Sequence, residues 1–342
     1  MSGSGPLAGI RIVEFDAIGP VPLAGMILAG LGADIVRISR PGTGAWSEVG
    51  GAVLHRGRAT VTLDLRDATQ REQALALIDR ADAVIEGSRP GVMERLGLGP
   101  DDVLPRNPSL VFARVTGWGQ EGPLATTAGH DINYIALTGV LHAIGSAGEP
   151  PTVPLNLIGD YAAGSMFACL GLVSAILSAR RTGQGQVVDV AMVDGVVTMM
   201  SLFHALGAAG LWRDEHGTNL LDGSAPFYRC YVCADGKSVA VGALEPQFFA
   251  RLLEGLAIDV ACRQYDSSEW PAMTALFEER FAERTRDEWA DLFAGTDACV
   301  TPVLSIAESL SHPANVDRSV FIDVDGVRQA APARAFHWGS HR

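Results

Sequence analysis

Short apolar runs alternate with segments of helical period in the first half of the chain, and this alternation predicts the fold. The short runs have the length and β-branched content of buried strands. Strands that alternate with helices are typical of a parallel α/β sheet of Rossmann-like type. The predicted strands are 10–15, 34–39, 60–65, 81–87 and 109–117, and the predicted helices are 21–33 and 68–81.

The second half begins with longer helices. An apolar helix is predicted from Asp160 to about Arg181, where TGQGQ ends it. A strand in VVDV (187–190) and a helix over 191–210 follow. We expect all these elements to belong to one large domain over 1–224, to which 309–342 return.

A smaller α+β domain is expected over 225–308. Its first two β-rich runs, within 228–244, meet at Ala234-Asp235-Gly236, which is a hairpin signal. Helical patterns follow at 246–256, 270–282 and 285–294, and a strand is expected at 298–305.

Composition narrows the possible partners. The 342 residues carry a formal net charge of -13, which argues against nucleic acid and anionic membranes as partners. An anionic ligand would therefore need a local cluster of arginines. The apolar stretch 164–179 is too short to span a bilayer comfortably, so we expect a buried core helix there. No signal peptide or peroxisomal tripeptide is visible at the ends, and we expect a cytoplasmic protein.

Two motifs carry little chemistry. Cys230 and Cys233 form a lone C-x-x-C pair, so we expect reduced thiols and no metal site. The stretch GWGQEG (117–122) fits the glycine pattern of a dinucleotide site, but Pro123 and small polar residues follow it where a helix is required. The residues therefore argue against a nicotinamide cofactor.

Two side chains are candidates for proton chemistry. His130 stands between a glycine and an aspartate, and histidine gains or loses a proton near neutral pH. Taken alone, such a histidine is more often a structural residue at a loop-to-helix junction. Asp160 opens the apolar helix, where aspartate is also a favoured N-cap. The residues alone leave both interpretations open.

Several stretches together resemble the family III CoA-transferase superfamily, which includes carnitine and formyl-CoA transferases. They cover nearly the whole chain in order: LAGIRIVEF, LGADIVRISRPG, VIEGSRPGVMERLGLGP, VTGWGQEGP, GHDINY, IGDYAAGSMFACLGLVSAI and GQGQVVDVAMVDG. The forms GHDINY, VGALEPQFF and DACVTPVL resemble the racemase branch of that family, because its transferases usually carry an aromatic residue where this chain has His130. The chain ends at Arg342, short of the C-terminal tail that the family usually has.

The resemblance implies a fold and an activity. The fold is a Rossmann-like large domain with a smaller α+β domain, in an interlocked homodimer whose active sites lie between the large domain of one subunit and the small domain of the other. The activity is inversion of 2-methylacyl-CoA thioesters without a cofactor. His130 and Asp160 would exchange protons with the substrate, and Glu245 would orient the histidine. A lone Glu245 in a first helical turn would otherwise be an ordinary surface residue.

Arginines are the expected partners of the CoA phosphates, and Arg40, Arg89 and Arg95 lie near predicted strand ends. Any one arginine is more often a solvated surface residue, but the three match the CoA site that the resemblance implies. The implied CoA-binding residues are Arg40, Leu63, Asp64, Leu65, Arg66, Gly87, Ser88, Arg89, Pro90, Gly91, Arg95, Gly129, Asp131, Ile132, Asn133 and Tyr134.

Two other functions remain open from the sequence. A CoA-transferase would use Asp160 as a nucleophile and would need an acceptor acid but not His130. A CoA-binding protein without catalysis would keep the fold alone. The identity of the acyl chain does not follow from the residues.

Overall fold

The computed structural model describes residues 5–42, 50–259 and 263–332. These residues divide into two compact units. Described residues within Met1–Thr138, Pro154–Ser201 and Ala314–Arg342 form the larger unit, and those within Gly139–Val153 and Leu202–Pro313 form the smaller one.

The larger unit is built on six parallel strands in the order β3-β2-β1-β4-β5-β6. This arrangement confirms the parallel α/β fold that the alternation of strands and helices predicted. The strands are β1 (Arg11–Phe15), β2 (Asp34–Ser39), β3 (Ala59–Thr62), β4 (Ala83–Glu86), β5 (Val111–Thr116) and β6 (Gln186–Ala191).

Helices cover both faces of this sheet, which explains why β4 and β5 are buried along their whole length. Successive strand residues point to opposite faces. Ile85 packs in the cluster beneath the first helix, and Val84 packs in the cluster on the other face. The helices are α1 (Pro20–Gly30), α2 (Gly51–Leu54), α3 (Ala68–Ile78), α4 (Val92–Arg95), α5 (Pro100–Val103), α6 (Asp131–Leu137), α7 (Met166–Thr182) and α8 (Met192–Met199).

The apolar helix predicted from Asp160 has a different beginning. Leu157–Ser165 forms a π-helical segment that runs directly into α7. The Met166 amide bonds to the Tyr161 carbonyl five residues back, which is the π-helical spacing. Asp160 therefore lies inside the first turns of this segment and is not its N-cap.

Together the two segments, Leu157–Thr182, span 26 residues and are long and apolar enough to cross a membrane by length and composition. The expected stretch 164–179 is thus part of a longer apolar run. Half of its most apolar window is buried within the chain, and Leu172 and Ile176 of α7 pack against α1 and the sheet. A core helix of a globular protein has this pattern.

The smaller unit contains an antiparallel sheet in the order β7-β8-β9, and the predicted hairpin joins its first two strands. Tyr231 and Val239 face a core of aromatic side chains on one side. The elements are β7 (Tyr228–Val232), β8 (Ser238–Gly242), α10 (Pro246–Gly255), α11 (Trp270–Phe281), α12 (Arg286–Phe293) and β9 (Val300–Pro302), after an α9 (Ser201–Ala208) that precedes the sheet.

The smaller unit begins earlier in the chain than residue 225, and it includes 139–153. The ring of His216 explains part of this grouping. Its nitrogens lie 2.8 Å from the carbonyl oxygen of His142 and 2.9 Å from that of Glu149. These contacts hold the segment 139–153 against a loop that lies before the predicted boundary.

The chain then passes through α13 (Ile306–Ser309) and α14 (Pro313–Asp317) to a hairpin of β10 (Phe321–Val324) and β11 (Val327–Ala330). Arg56 donates a hydrogen bond to the Gln329 side chain at 2.8 Å, which fastens the hairpin to the larger unit. This hairpin was not predicted.

Candidate active site

A pocket of about 260 Å³ lies at the carboxyl ends of the parallel strands in the larger unit. This edge is where ligands bind in open α/β sheets. Its walls come from the loop after β1, the loop after β4, the end of β5 and the start of α6. His130, Tyr134 and Asp160 line it together with Gly19, Gly87, Arg89, Pro90 and Gly129.

His130 stands at the N-cap of α6, where its backbone is fixed from both sides. The His130 amide donates to Oδ1 of Asn133 at 3.0 Å, and the Asn133 amide donates to the His130 carbonyl at 2.8 Å. These bonds use no atom of the imidazole. His130 is exposed and its backbone is held in place, so the imidazole is available to a ligand in the pocket.

Asp160 reaches the same pocket from the π-helical segment. Burial raises the pKa of its carboxyl group, and the negative charge of Asp131 adds to the rise. A hydrogen bond from Asn156 and the charge of His130 act in the opposite direction, but the net shift is upward. A carboxyl group with a raised pKa is a stronger base than an ordinary aspartate, which suits a group that takes up and returns a proton.

Asp131 connects the two candidate groups through the backbone. Its buried carboxylate accepts a hydrogen bond from the Asp160 amide at 2.7 Å. A side chain at Gly159 would not fit here, because a Cβ atom would lie 2.9 Å from Oδ2 of Asp131. Asp131 thus holds the start of α6 against the π-helical segment, and its side chain faces the Asp160 backbone.

Tyr134 supports the loop that carries His130. Its hydroxyl group donates to the Gly129 carbonyl, and its ring packs edge-on against Trp118 with a centroid distance of 4.8 Å. The ring fills the space where Gly117 lacks a side chain. Burial, followed by the charge of Asp160, raises the pKa of the phenol to about 12, so the hydroxyl stays neutral.

A second cavity of about 470 Å³ brings together three of the arginine residues selected from the sequence. Arg40, Arg66 and Arg95 line it, and so do Leu63, Asp64 and Leu65. Ser88 borders this cavity and also the pocket that contains His130. The two cavities therefore adjoin at the loop after β4.

Local hydrogen bonds fix the loops between the cavities. The Ser88 amide donates to Glu86 at the end of β4, at 2.6 Å, and Arg114 of β5 lies 3.3 Å from the same carboxylate. The Arg66 amide donates to Asp64 at 3.0 Å. Backbone amides in both loops are thereby held in place beside the cavities.

Several of the predicted residues line neither cavity. Gly91 is the N-cap of α4, Ile132 is exposed on α6, and Asn133 caps His130. Glu245 belongs to the smaller unit and is the N-cap of α10. Its charge helps to raise the pKa of the Cys299 thiol, after burial as the larger cause.

Sequence reasoning missed three residues around the pocket. Asn156 donates to Asp160, Trp118 packs against Tyr134, and Gly19 faces the Asp160 carboxylate. Only the position of Asn156, four residues before an aspartate, offered a signal. Within residues 5–42, 50–259 and 263–332, no group of three histidine, cysteine, aspartate or glutamate residues is placed to hold a metal ion.

The chain is similar to known proteins over nearly its whole length. Alpha-methylacyl-CoA racemase of Mus musculus is 44% identical over 331 residues, which cover 96% of this chain and 85% of that protein. The Homo sapiens protein of the same name is also 44% identical, over 92% of this chain and 82% of its own length. The crystal structure of a CAIB/BAIF family protein from Brucella suis superposes with a TM-score of 0.83 at 25% identity, covering 97% of this chain and 93% of that one. The family model for CoA-transferase family III matches residues 7–341, and the chain belongs to that family.

Proposed function

We propose that this protein is an α-methylacyl-CoA racemase, which interconverts the (R) and (S) forms of 2-methylacyl-CoA thioesters. The observation that carries the proposal is the pairing of His130 with Asp160 in one pocket that adjoins an arginine-lined cavity. The 44% identity to two racemases over most of the chain supports it.

The reaction needs two proton carriers, one on each face of the α-carbon. In one direction the Asp160 carboxylate takes the α-proton, and the electron pair of the broken C–H bond moves into the enolate. The His130 imidazolium then delivers its proton to the opposite face. In the reverse direction neutral His130 takes the proton and the Asp160 carboxylic acid returns one. In both directions the reaction begins with one exchangeable proton on the His130–Asp160 pair.

The enolate oxygen requires hydrogen-bond donors at the point where charge develops. The amides of Asp131 and Ile132 at the start of α6, next to His130, would supply them, since the first amides of a helix lack an acceptor within it. The next amide, that of Asn133, already donates to the His130 carbonyl. Asp131 holds this turn beside Asp160 through its bond to the Asp160 amide. The amide donors of α6 and the Asp160 carboxylate are therefore held in fixed positions relative to each other.

CoA would lie across the two cavities. We assign its phosphates to Arg40, Arg66 and Arg95, because guanidinium groups bind phosphate with paired donors. The thioester end would pass Ser88 toward Arg89 and the pocket. The loop amides of 63–66 and 87–91 would contact the rest of the CoA chain.

We propose a homodimer as the working form. Leu170 and Leu177 of α7 are 65% and 62% exposed, and Met166 and Val173 continue the same helical stripe. Such a stripe on one side of a helix needs a cover, and a second copy supplies one. In an interlocked dimer the partner subunit would supply a glutamate equivalent to Glu245, beside His130, and would stabilise the imidazolium.

Every step of this reaction moves a proton, and we propose that it needs no cofactor. The test is exchange of the α-proton of a 2-methylacyl-CoA in deuterated water with no acceptor acid present. We expect deuterium at the α-carbon and equal amounts of the two epimers at equilibrium. Absence of exchange, together with CoA transfer to an added carboxylic acid, would contradict the proposal and favour a transferase.

A further inference from the structure

Asn156 makes a hydrogen bond to the carboxylate of Asp160. It directly precedes the π-helical segment, and its Nδ2 donates to Oδ2 of Asp160 at 3.1 Å. The four-residue separation places the two side chains on the same side of the chain, so the contact is local and does not depend on a distant loop.

The two oxygens of Asp160 therefore differ. A carboxamide N–H only donates, and the oxygen that receives it is the weaker site for a proton. Oδ2 receives the Asn156 donor, whereas Oδ1 accepts no hydrogen bond from the described residues.

Gly19 and Asp160 both line the pocket, and the absence of a side chain at Gly19 leaves room beside the carboxylate. A Cβ atom at Gly19 would lie 3.1 Å from Oδ2 and 3.5 Å from Oδ1, and Gly19 has a φ of 72°, which disfavours other residues. The charged groups that act on Asp160 are Asp131 and His130 at the start of α6, and the nearby phenol of Tyr134 stays neutral. Asn156 is the uncharged donor among these neighbours.

We propose that Asn156 is a positioning residue that holds Oδ2 of Asp160 and leaves Oδ1 as the oxygen that exchanges the proton with the substrate. This inference rests on the proposed racemase function. When Asp160 acts as base, the C–H bond breaks, an O–H bond forms at Oδ1, and the electron pair enters the enolate. By holding Oδ2, Asn156 fixes the plane of the carboxylate and keeps Oδ1 available to the substrate.

The proposal predicts a specific change in the pH profile. The donor stabilises the ionised carboxylate, so its removal raises the pKa of Asp160 further. The acid limb of kcat/KM marks entry of a second proton into the His130–Asp160 pair. That limb moves to higher pH when the pKa of Asp160 rises. A purely structural defect lowers the rate and leaves the limb in place.

The experiment measures α-proton exchange against pH for the full-length parent, Asn156→Ala and Asn156→Asp. The control is Thr152→Ala, since Thr152 is an exposed polar residue on the same connecting stretch. We expect Asn156→Ala to lose roughly tenfold in kcat at neutral pH with KM nearly unchanged, the factor for one hydrogen bond to a charged group. Its acid limb should move upward, and the limb of Asn156→Asp should move further because a second carboxylate adds repulsion.

Each result decides the proposal. The proposal is supported if the acid limb lies at higher pH in Asn156→Ala than in the parent and at still higher pH in Asn156→Asp, while Thr152→Ala behaves like the parent. Acid limbs that stay at the parental pH overturn it, whatever the rate. Both outcomes require an active parent. A parent that shows no exchange at all would instead be a failure of the racemase proposal, and so the two failures are distinguishable.

Discussion

Replacing His130 with alanine separates the chemistry of the pocket from its folding. The imidazole is exposed, and the bonds that hold this position join the backbone of His130 to Asn133. Alanine keeps both of them. We therefore expect the stability of His130→Ala to stay within about 0.5 kcal/mol of the parent, the usual range for surface substitutions.

The same change should strongly reduce racemisation. A general acid or base contributes a factor of roughly 10²–10⁴. Asp160 remains in place in the variant, with Asn156 on Oδ2 and Asp131 on its amide. One proton carrier is then present and the other is missing. Inversion needs both, so the loss should be similar for the (R) and (S) substrates. CoA affinity should stay near the parental value, since the arginines are untouched.

The assay follows the α-proton by NMR in deuterated water, with a second reaction that contains an acyl-CoA donor and an acceptor carboxylic acid. Thermal unfolding of the variant verifies that the fold is intact. The racemase reasoning is refuted if His130→Ala moves CoA to the acceptor at the parental rate while the parent shows no acceptor-free exchange. Asp160 would then be a nucleophile.

Three further predictions use other parts of the molecule. Asp131→Asn removes a charge that raises the pKa of Asp160, so the acid limb of kcat/KM should move to lower pH; an unchanged limb would show that Asp131 does not act on Asp160. Arg40→Ala and Arg95→Ala should each weaken CoA-ester binding by roughly 1.5–3 kcal/mol, as measured by calorimetry. Added salt should weaken CoA-ester binding by the parent. If both variants bind as tightly as the parent, the CoA groove lies elsewhere. Glu14→Gln should lower the free energy of unfolding, measured by urea denaturation, by about 3–5 kcal/mol, because it removes the anion from a fully buried ion pair with Arg58. A loss below about 1 kcal/mol would mean that another group compensates the charge of Arg58.

Most of the fold could be predicted because parallel strands have a simple signature. A strand buried on both faces is a short apolar run, and VIE within 84–86 or VFARV within 111–115 can be recognised without a partner. Element ends were less accurate: β3 covers Ala59–Thr62, whereas the expected strand was 60–65. The hairpin Phe321–Ala330 was missed, although Asp325-Gly326 carries a turn signal.

The sequence also did not predict that the segment around Asp160 is π-helical. An apolar segment with aspartate near its start predicts an ordinary helix with that aspartate as cap. The π-helical segment Leu157–Ser165 packs against α1, α6 and α8, which come from distant parts of the sequence. A local pattern carries no information about such contacts. Asp160 consequently points into the pocket from within the segment.

The sequence by itself determined the parallel sheet, the residue types available for proton transfer and the arginines that suit a phosphate-bearing ligand. These follow from period, composition and motif, which are properties of neighbouring positions. Only the tertiary structure decided that His130 and Asp160 share a pocket, that Asp131 links them, and that Asn156 distinguishes the two oxygens of Asp160. Those relations join loops that follow different strands, and the register and packing of the whole sheet set their distances.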